Sequence, residues 1–179
     1  MNLSKTGKRR GLTLIESLVV VGILLGIVAI ALTLYGTVKD RLNVKNESEN
    51  ISFIYAQVSD LFSDETTDDL ENELAVQSGI FPKKMKIAGD KVYNAWGGAV
   101  VVKGASSSNG FTLEYKKVPK DGVCVDLVRN QRKVGWDLAA VGSLDVVYSD
   151  MTTSEISKAC NTGSGESTTV IFEYGIEDN

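Results

Sequence analysis

The side chains that most often carry out catalysis are scarce in this chain of 179 residues. Histidine is absent, which excludes a Ser-His-Asp triad, a Cys-His pair, His-ligated zinc and imidazole acid–base chemistry. Two cysteines cannot form a four-thiolate metal site, and the carboxylates are scattered or gathered in one polar run. The sequence also lacks a Gly-rich phosphate loop between a strand and a helix. We therefore expect no enzyme, no cofactor and no metal site.

One carboxylate has an unusual position because it lies at the start of an apolar segment. Glu16 follows the basic stretch Lys8-Arg9-Arg10-Gly11 and precedes 22 residues without charge, positions 17–38. As a helix these residues would extend about 33 Å, enough for one membrane crossing. A carboxylate inside a bilayer costs roughly 2.5–3.5 kcal/mol or more, so such a residue is a functional-site hypothesis by default.

The positions after the apolar segment continue the helical pattern. Residues 12–62 contain no proline, so we expect one helix of about 50 residues, roughly 75 Å long. Charged residues, Glu47 and Glu49 among them, make its second half soluble. Apolar residues then recur at helical spacings, typical of one face of an amphipathic helix: Ile51, Ile54, Tyr55, Val58, Leu61 and Phe62. Two helices with a break near positions 43–50 are the alternative.

Two glycines lie four residues apart in the apolar half of this helix. Gly22 and Gly26 form a small-xxx-small pair, which lets a second helix approach closely inside a membrane. Each glycine also weakens a helix by about 1 kcal/mol relative to alanine. In a bundle of identical helices this spacing favours close packing, so we take both residues as candidate assembly positions.

The remaining residues predict an α+β domain. Positions 63–79 are expected to form a short helix with a solvated acidic face, opened by a Thr66–Asp69 capping box and ended by Gly79. A calcium loop is the alternative there, although the alternating Asp/Asn and central Gly are missing. Further on we expect a hairpin of strands 99–102 and 111–118, a helix at 122–133, strands at 136–141 and 144–148, a helix opened by Thr152 and Glu155, and a last strand at 167–174.

These elements predict two layers, with a mainly antiparallel sheet packed on the amphipathic half of the long helix. By the positive-inside rule Lys5, Lys8, Arg9 and Arg10 stay in the cytoplasm, and the domain after about Val38 lies across the inner membrane. On that oxidising side Cys124 and Cys160 are expected to form one disulfide, with two unpaired buried thiols as the alternative.

The junction of basic stretch, Gly11, Leu12-Thr13-Leu14-Ile15-Glu16 and apolar helix resembles the N-terminus of type IV prepilins. The resemblance implies that a prepilin peptidase cuts between Gly11 and Leu12, methylates Leu12 and leaves the helix in the mature subunit. Residues 1–11 would then be a leader, 12–62 the long helix with its transmembrane segment at 17–38, and 63–179 the globular head. Without the leader the chain holds 15 basic and 23 acidic residues, a formal charge of −8, which argues against nucleic-acid binding.

Later blocks resemble the type IVb pilins, most of all those of thin conjugative pili. They are Gly79-Ile80-Phe81-Pro82, Tyr93-Asn94-Ala95-Trp96-Gly97-Gly98-Ala99-Val100 and Cys124-Val125-Asp126-Leu127-Val128. In those proteins Cys124 and Cys160 would be the partners of the C-terminal disulfide. One departure concerns the leader, because type IVb prepilins generally have longer ones than the 11 residues here.

The resemblance implies a structural subunit that waits in the inner membrane with a periplasmic head and then enters an extracellular pilus. Its expected partners are copies of itself, the prepilin peptidase, an assembly ATPase, an inner-membrane platform and an outer-membrane secretin. Glu16 would set the helix register in the filament, and conjugation or adhesion would be the role. The alternatives are a minor pilin, a type II secretion pseudopilin, or a membrane-tethered periplasmic binding domain.

The first prediction concerns processing. Mass spectrometry of purified filaments is expected to show a chain that begins at Leu12 and carries one added methyl group. The competing signal-peptide interpretation uses the Ala29-Ile30-Ala31 site, which is an Ala-x-Ala match. A chain that begins at Leu32 would establish that interpretation and contradict ours.

Overall fold

The computed structural model describes residues 13–105, 109–120, 122–148 and 151–175. Its α-helices are α1 Leu14–Leu61, α2 Asn72–Gln77, α3 Gly122–Asn130 and α4 Thr153–Asn161, and a 3-10 turn Gln131–Lys133 follows α3. Its strands are β1 Lys86–Ala88, β2 Lys91–Tyr93, β3 Ala99–Gly104, β4 Phe111–Pro119, β5 Leu138–Val141, β6 Leu144–Val147 and β7 Ser167–Tyr174.

The long helix α1 is continuous, as expected, and has no break near positions 43–50. Contacts divide the chain between Lys39 and Asp40 into two compact units, so α1 contributes to both. In the first unit the segment Leu14–Leu32 has a mean hydropathy of 2.7, and none of it is buried. Its length and composition would allow it to cross a membrane.

The seven strands in the described part of the second unit pair antiparallel in one sheet of order β1-β2-β3-β4-β7-β5-β6. The last strand of the chain, β7, lies between β4 and β5. Leu113, Phe172 and Ala139 are cross-strand neighbours there, and all three are fully buried. Apolar residues therefore alternate onto one face of the sheet, as the period of a strand requires.

The second half of α1 packs on this buried face. Ile51, Ile54 and Val58 are fully buried, which confirms the predicted apolar stripe. The ring of Tyr55 lies 4.8 Å from Trp136 and 5.8 Å from Phe111, centroid to centroid. Leu61 departs from the prediction, since it is 47% exposed. It lies about 80° around the helix from Ile51, at the edge of the stripe.

The expectation that Glu47 is exposed and makes the helix soluble was wrong. Its side chain is buried, with 4% exposure, because it lies one turn before Ile51 on the same helix face. Glu47 Oε1 accepts a hydrogen bond from the Ala95 backbone N–H at 2.8 Å, and Oε2 accepts one from Asn50 Nδ2 at 3.1 Å. Burial, together with the Glu47 charge, raises the pKa of Tyr115 well above its usual value. This buried polar contact fixes α1 to the turn between β2 and β3.

The predicted acidic helix is shorter than expected. It begins at Asn72, and the Thr66–Asp69 capping box was wrong, because Glu71 is the N-cap and makes no side-chain cap. The start of α2 and the segment before it instead lie beside β3. Asn72 Nδ2 donates to Val100 O at 2.9 Å, Asn72 Oδ1 accepts from the Val102 N–H at 2.7 Å, and Leu70 O accepts from the Gly104 N–H at 2.9 Å. Gly79 ends the region with a positive φ of 73°, as expected. The acidic side chains of the segment are exposed.

The hairpin β3–β4, the helices α3 and α4 and the last strand lie where the sequence predicted them. The strands expected at 136–141 and 144–148 are present as β5 and β6, and β5 is shorter because it begins at Leu138. Sequence reasoning missed the hairpin β1–β2. Its strands have three residues each, which is too short for an alternating pattern to show.

The second prediction compares two carboxylates of one helix. Glu47→Ala removes the acceptor of the buried Asn50 side-chain amide and of the partly buried Ala95 N–H, so it is expected to lower the free energy of unfolding by about 1–3 kcal/mol. Glu49→Ala is the matched control, since Glu49 is exposed and its pair with Lys84 is a surface ion pair, worth about 0–1 kcal/mol. Denaturant unfolding measures both changes. Equal losses for the two variants would contradict the anchoring role of Glu47.

Candidate assembly site

Glu16 lies in a capping box at the start of α1. Its Oε2 accepts hydrogen bonds from the Thr13 backbone N–H at 2.8 Å and from Thr13 Oγ1 at 3.0 Å. In return, Thr13 Oγ1 accepts from the Glu16 N–H at 3.4 Å. This reciprocal arrangement satisfies backbone donors that a helix N-terminus otherwise leaves unpaired. The carboxylate is therefore turned back along the chain, toward residue 13.

Sequence reasoning selected Glu16 for its charge and missed its second role. The signal was readable, because Thr13 and Glu16 have the S/T-x-x-E spacing that precedes an apolar helix. The predicted cleavage residues Gly11 and Leu12 lie outside the described residues. The structure thus places Glu16 against the residue that follows Leu12, and the processing site itself stays a prediction.

Among the described residues, Gly22 and Gly26 have no neighbour that requires glycine. A Cβ atom added at either position would meet nothing within 4 Å among the described residues. The apolar side chains around them are exposed, for example Ile23 at 59% and Leu25 at 65%. Neither packing among the described residues nor a positive φ requires glycine at these two positions.

The structure confirms the disulfide between Cys124 and Cys160. Their Cα atoms are 5.8 Å apart, the sequence separation is 36 residues, and both side chains are fully buried. The bridge ties α3 to the last turn of α4. Its geometry suits a disulfide, whose Cα atoms usually lie 4.4–6.8 Å apart.

The N-terminus of α4 is fixed by the capping box predicted for Thr152 and Glu155. Glu155 Oε2 accepts from the Thr152 N–H at 2.7 Å and from Thr152 Oγ1 at 2.8 Å. These bonds, the backbone one foremost, lower the pKa of Glu155. The cap begins the helix at Thr153, which brings Ile156 and Cys160 onto its buried face.

Within the described ranges, no group of three or more Cys, Asp or Glu side chains is arranged to hold a metal ion. The acidic side chains of the segment before α2 are spread along an exposed surface. The features that remain for a function are the apolar helix with its capped carboxylate and the disulfide-linked α+β unit.

A helix with an exposed apolar first half, followed by an antiparallel sheet and a C-terminal disulfide, defines a pilin subunit. The family described as PilS N terminal matches residues 41–174, and the chain belongs to this family. The match covers the amphipathic half of α1 and the sheet, and it confirms the expected resemblance to type IVb pilins.

The fold is also similar to solved structures. A crystal structure of a type IV b pilin from Salmonella typhi matches with a TM-score of 0.60 and 21% identity, over 73% of this chain and 98% of that one. An NMR structure of the type IVb pilin PilS from the same organism gives a TM-score of 0.49 and 21% identity, over 73% of this chain and 95% of that one. No curated protein sequence matches.

The third prediction concerns the disulfide. Closing a loop of this length is worth roughly 3–4 kcal/mol by loop-closure entropy. Cys124→Ser and Cys160→Ser are therefore each expected to lower pilin levels and abolish piliation, as measured by immunoblot and by sheared filaments. The double variant should be no worse than either single one, because each change already removes the whole bridge. Free thiols in the denatured, unreduced wild-type protein would contradict the pairing.

Proposed function

We propose that this pilin is cut after Gly11 and assembled through its apolar helix into a homopolymeric filament. The observation that carries the proposal is the first part of α1, where the apolar span Leu14–Leu32 is exposed and none of it is buried. Such a surface is stable only in a bilayer or against other apolar helices. The same segment thus serves as membrane anchor before assembly and as filament core afterwards.

The basic residues before the span support an orientation with the head in the periplasm. The buried disulfide supports the same side, because the cytoplasm keeps thiols reduced. The subunit then lies in the inner membrane by its single helix and becomes extracellular on assembly. The prepilin peptidase, an assembly ATPase, a membrane platform and an outer-membrane secretin are the proposed partners, and conjugation or adhesion is the proposed role.

The proposed assembly contact joins the α-amine of Leu12 in one subunit to Glu16 of a neighbour. Each charge is costly alone in an apolar medium, and the pair offsets that cost. Sliding one helix along the other would separate both charges, so the pair fixes axial register. The bonds from Thr13 orient the carboxylate before the neighbour arrives. Gly22 and Gly26 let the helices approach closely.

A minor pilin or a type II secretion pseudopilin is the alternative within the same superfamily. Both would use the same helix and the same processing, but neither would be the main constituent of sheared filaments. A membrane-tethered binding domain would need the apolar helix without Glu16. Protein composition of sheared filaments therefore separates these alternatives from the proposed main subunit.

The fourth prediction separates the charge of Glu16 from its capping role. Glu16→Gln keeps the capping box, since glutamine also serves at that position, but it removes the charge. We expect cleavage and membrane insertion to persist while filaments are lost, and Glu16→Ala should behave in the same way. Shed filaments are measured by shearing and immunoblot, and processing by the mass of the cell-bound pilin.

Thr13→Ala is the matched control, because it removes the hydroxyl of the capping box and keeps the carboxylate. We expect it to assemble, at a reduced level. Normal piliation in Glu16→Gln cells, together with lost piliation in Thr13→Ala cells, would show that capping and not charge pairing is required.

A further inference from the structure

A β-bulge in β4 places two consecutive lysines on the surface. Tyr115 pairs with Val170 and Val118 pairs with Thr168, so Lys116 and Lys117 together face the single intervening residue of β7. Tyr115 and Val118 are fully buried, whereas both lysines are exposed. Without the extra residue, strand alternation would direct one of two neighbouring side chains inward.

Lys117 occupies a backbone conformation that a glycine would adopt more easily. Its φ is +56°, the only positive value at a non-glycine position in the described part of the chain. This region is left-handed and crowds the Cβ atom, which is why glycine is common in bulges of this kind. Since glycine would adopt this backbone conformation with less strain, any advantage of lysine at this position comes from its side chain.

The bulge forms one wall of a surface cleft of about 480 Å³. Tyr93, Gly97 and Ala99 line a second wall, and the first residues of β7, Ser167, Thr168 and Thr169, line a third. Tyr93 brings an aromatic ring to this cleft, the two lysines bring ammonium groups, and Ser167 and Thr169, on one face of β7, bring hydroxyl groups. A cleft of this size suits a small molecule of one or two rings.

The turn beside the cleft is held rigidly against the bulge. Asn94 Nδ2 donates to Lys116 O at 2.8 Å, and Asn94 Oδ1 accepts from the Trp96 N–H at 3.0 Å and the Gly98 N–H at 2.9 Å. A Cβ atom at Gly98 would overlap the Lys116 carbonyl oxygen, so only glycine allows this approach. The Trp96-Gly97-Gly98 motif therefore forms a turn and also preorganises the wall of the cleft.

The cleft carries positive charge on a subunit whose mature chain is acidic. Lys116 Nζ pairs with Glu114 Oε2 at 3.3 Å, whereas Lys117 makes no ion pair with any described residue. Lys86 Nζ lies 5.7 Å from the centre of the Tyr93 ring, at the same part of the sheet. An anionic ligand would therefore meet an unpaired ammonium beside an aromatic ring.

We propose that this cleft binds an acidic sugar, a saccharide that carries a carboxylate or a phosphate. The Lys117 ammonium would pair with the anionic group, and the Tyr93 ring would pack on the apolar face of the sugar ring. The hydroxyls of Ser167 and Thr169, which share one face of β7, would bond the hydroxyl groups of the sugar. The other source of carboxylates is the exposed acidic segment of a second subunit, residues 64–73. The cleft's limited volume and its aromatic wall favour the sugar.

The test measures binding to the full-length protein in detergent by calorimetry and saturation-transfer NMR. The probes are glucuronic acid, N-acetylneuraminic acid and glucose 6-phosphate, with glucose and inorganic phosphate as comparisons. We expect at least one acidic sugar to bind ten or more times tighter than either comparison. Phosphate binding as tightly as the sugars would show a bare anion site and overturn the proposal, and so would equal binding of glucose.

Substitutions that tolerate the left-handed conformation test the residue itself. Lys117→Asn and Lys117→Gly are expected to weaken binding at least tenfold without lowering the melting temperature, and Lys117→Arg should retain it. Lys158→Gln, an exposed lysine of α4, is the matched control and should bind like the wild type. Equal weakening in Lys158→Gln would show non-specific charge attraction and contradict the site.

Measuring filament formation by the Lys117→Asn variant tests the alternative occupant of the cleft, the acidic segment of a second subunit. Normal piliation in Lys117→Asn cells, together with lost sugar binding, supports the proposal. Lost piliation with unchanged sugar affinity, or without any sugar binding to the wild type, would make the cleft a contact between subunits. Neither result depends on Glu16, so a failure here leaves the proposed assembly mechanism standing.

Discussion

The docking of the second half of α1 on the sheet is the contact on which the other features of the second unit depend. One face of α1 is buried in the core through Ile51, Ile54 and Val58. Burial of each such side chain is worth about 1.5–3 kcal/mol. The aromatic rings around Tyr55 complete that face. Because the same helix begins with an apolar segment that is exposed on every side, one continuous element combines a folding role with the proposed assembly role.

A buried carboxylate fixes the rotation and axial position of α1 in this apolar contact. Apolar burial tolerates rotation or sliding of a helix, whereas Glu47 must meet the Ala95 N–H to be satisfied. That bond fixes the β2–β3 turn, and Asn94 extends the fixed geometry to the bulge at Lys116. A chain of hydrogen bonds thus connects the long helix to the cleft on the sheet, and all of its members lie in the second unit.

The two candidate sites differ in the medium that they require. Glu16, Gly22 and Gly26 belong to an apolar helix, where an unpaired charge is costly and small residues allow close packing. The Lys117 cleft belongs to a polar surface, where a single ion pair is weak and several contacts must act together. The disulfide serves neither site directly; it holds α3 to α4 and so stabilises the unit that carries the cleft.

The sequence by itself determined the features that depend on local pattern. The apolar segment, the amphipathic stripe, the Thr152–Glu155 cap, the final strand and the candidate role of Glu16 all follow from residue types at short spacings. Tertiary structure decided the rest. The placement of β7 between β4 and β5, the burial of Glu47 and the pairing of Asn72 with β3 arise from contacts between residues far apart in sequence. The cleft also depends on contacts between residues far apart in sequence. The bulge with its two lysines lines a cleft only because the turn after β2 and the last strand pack beside it.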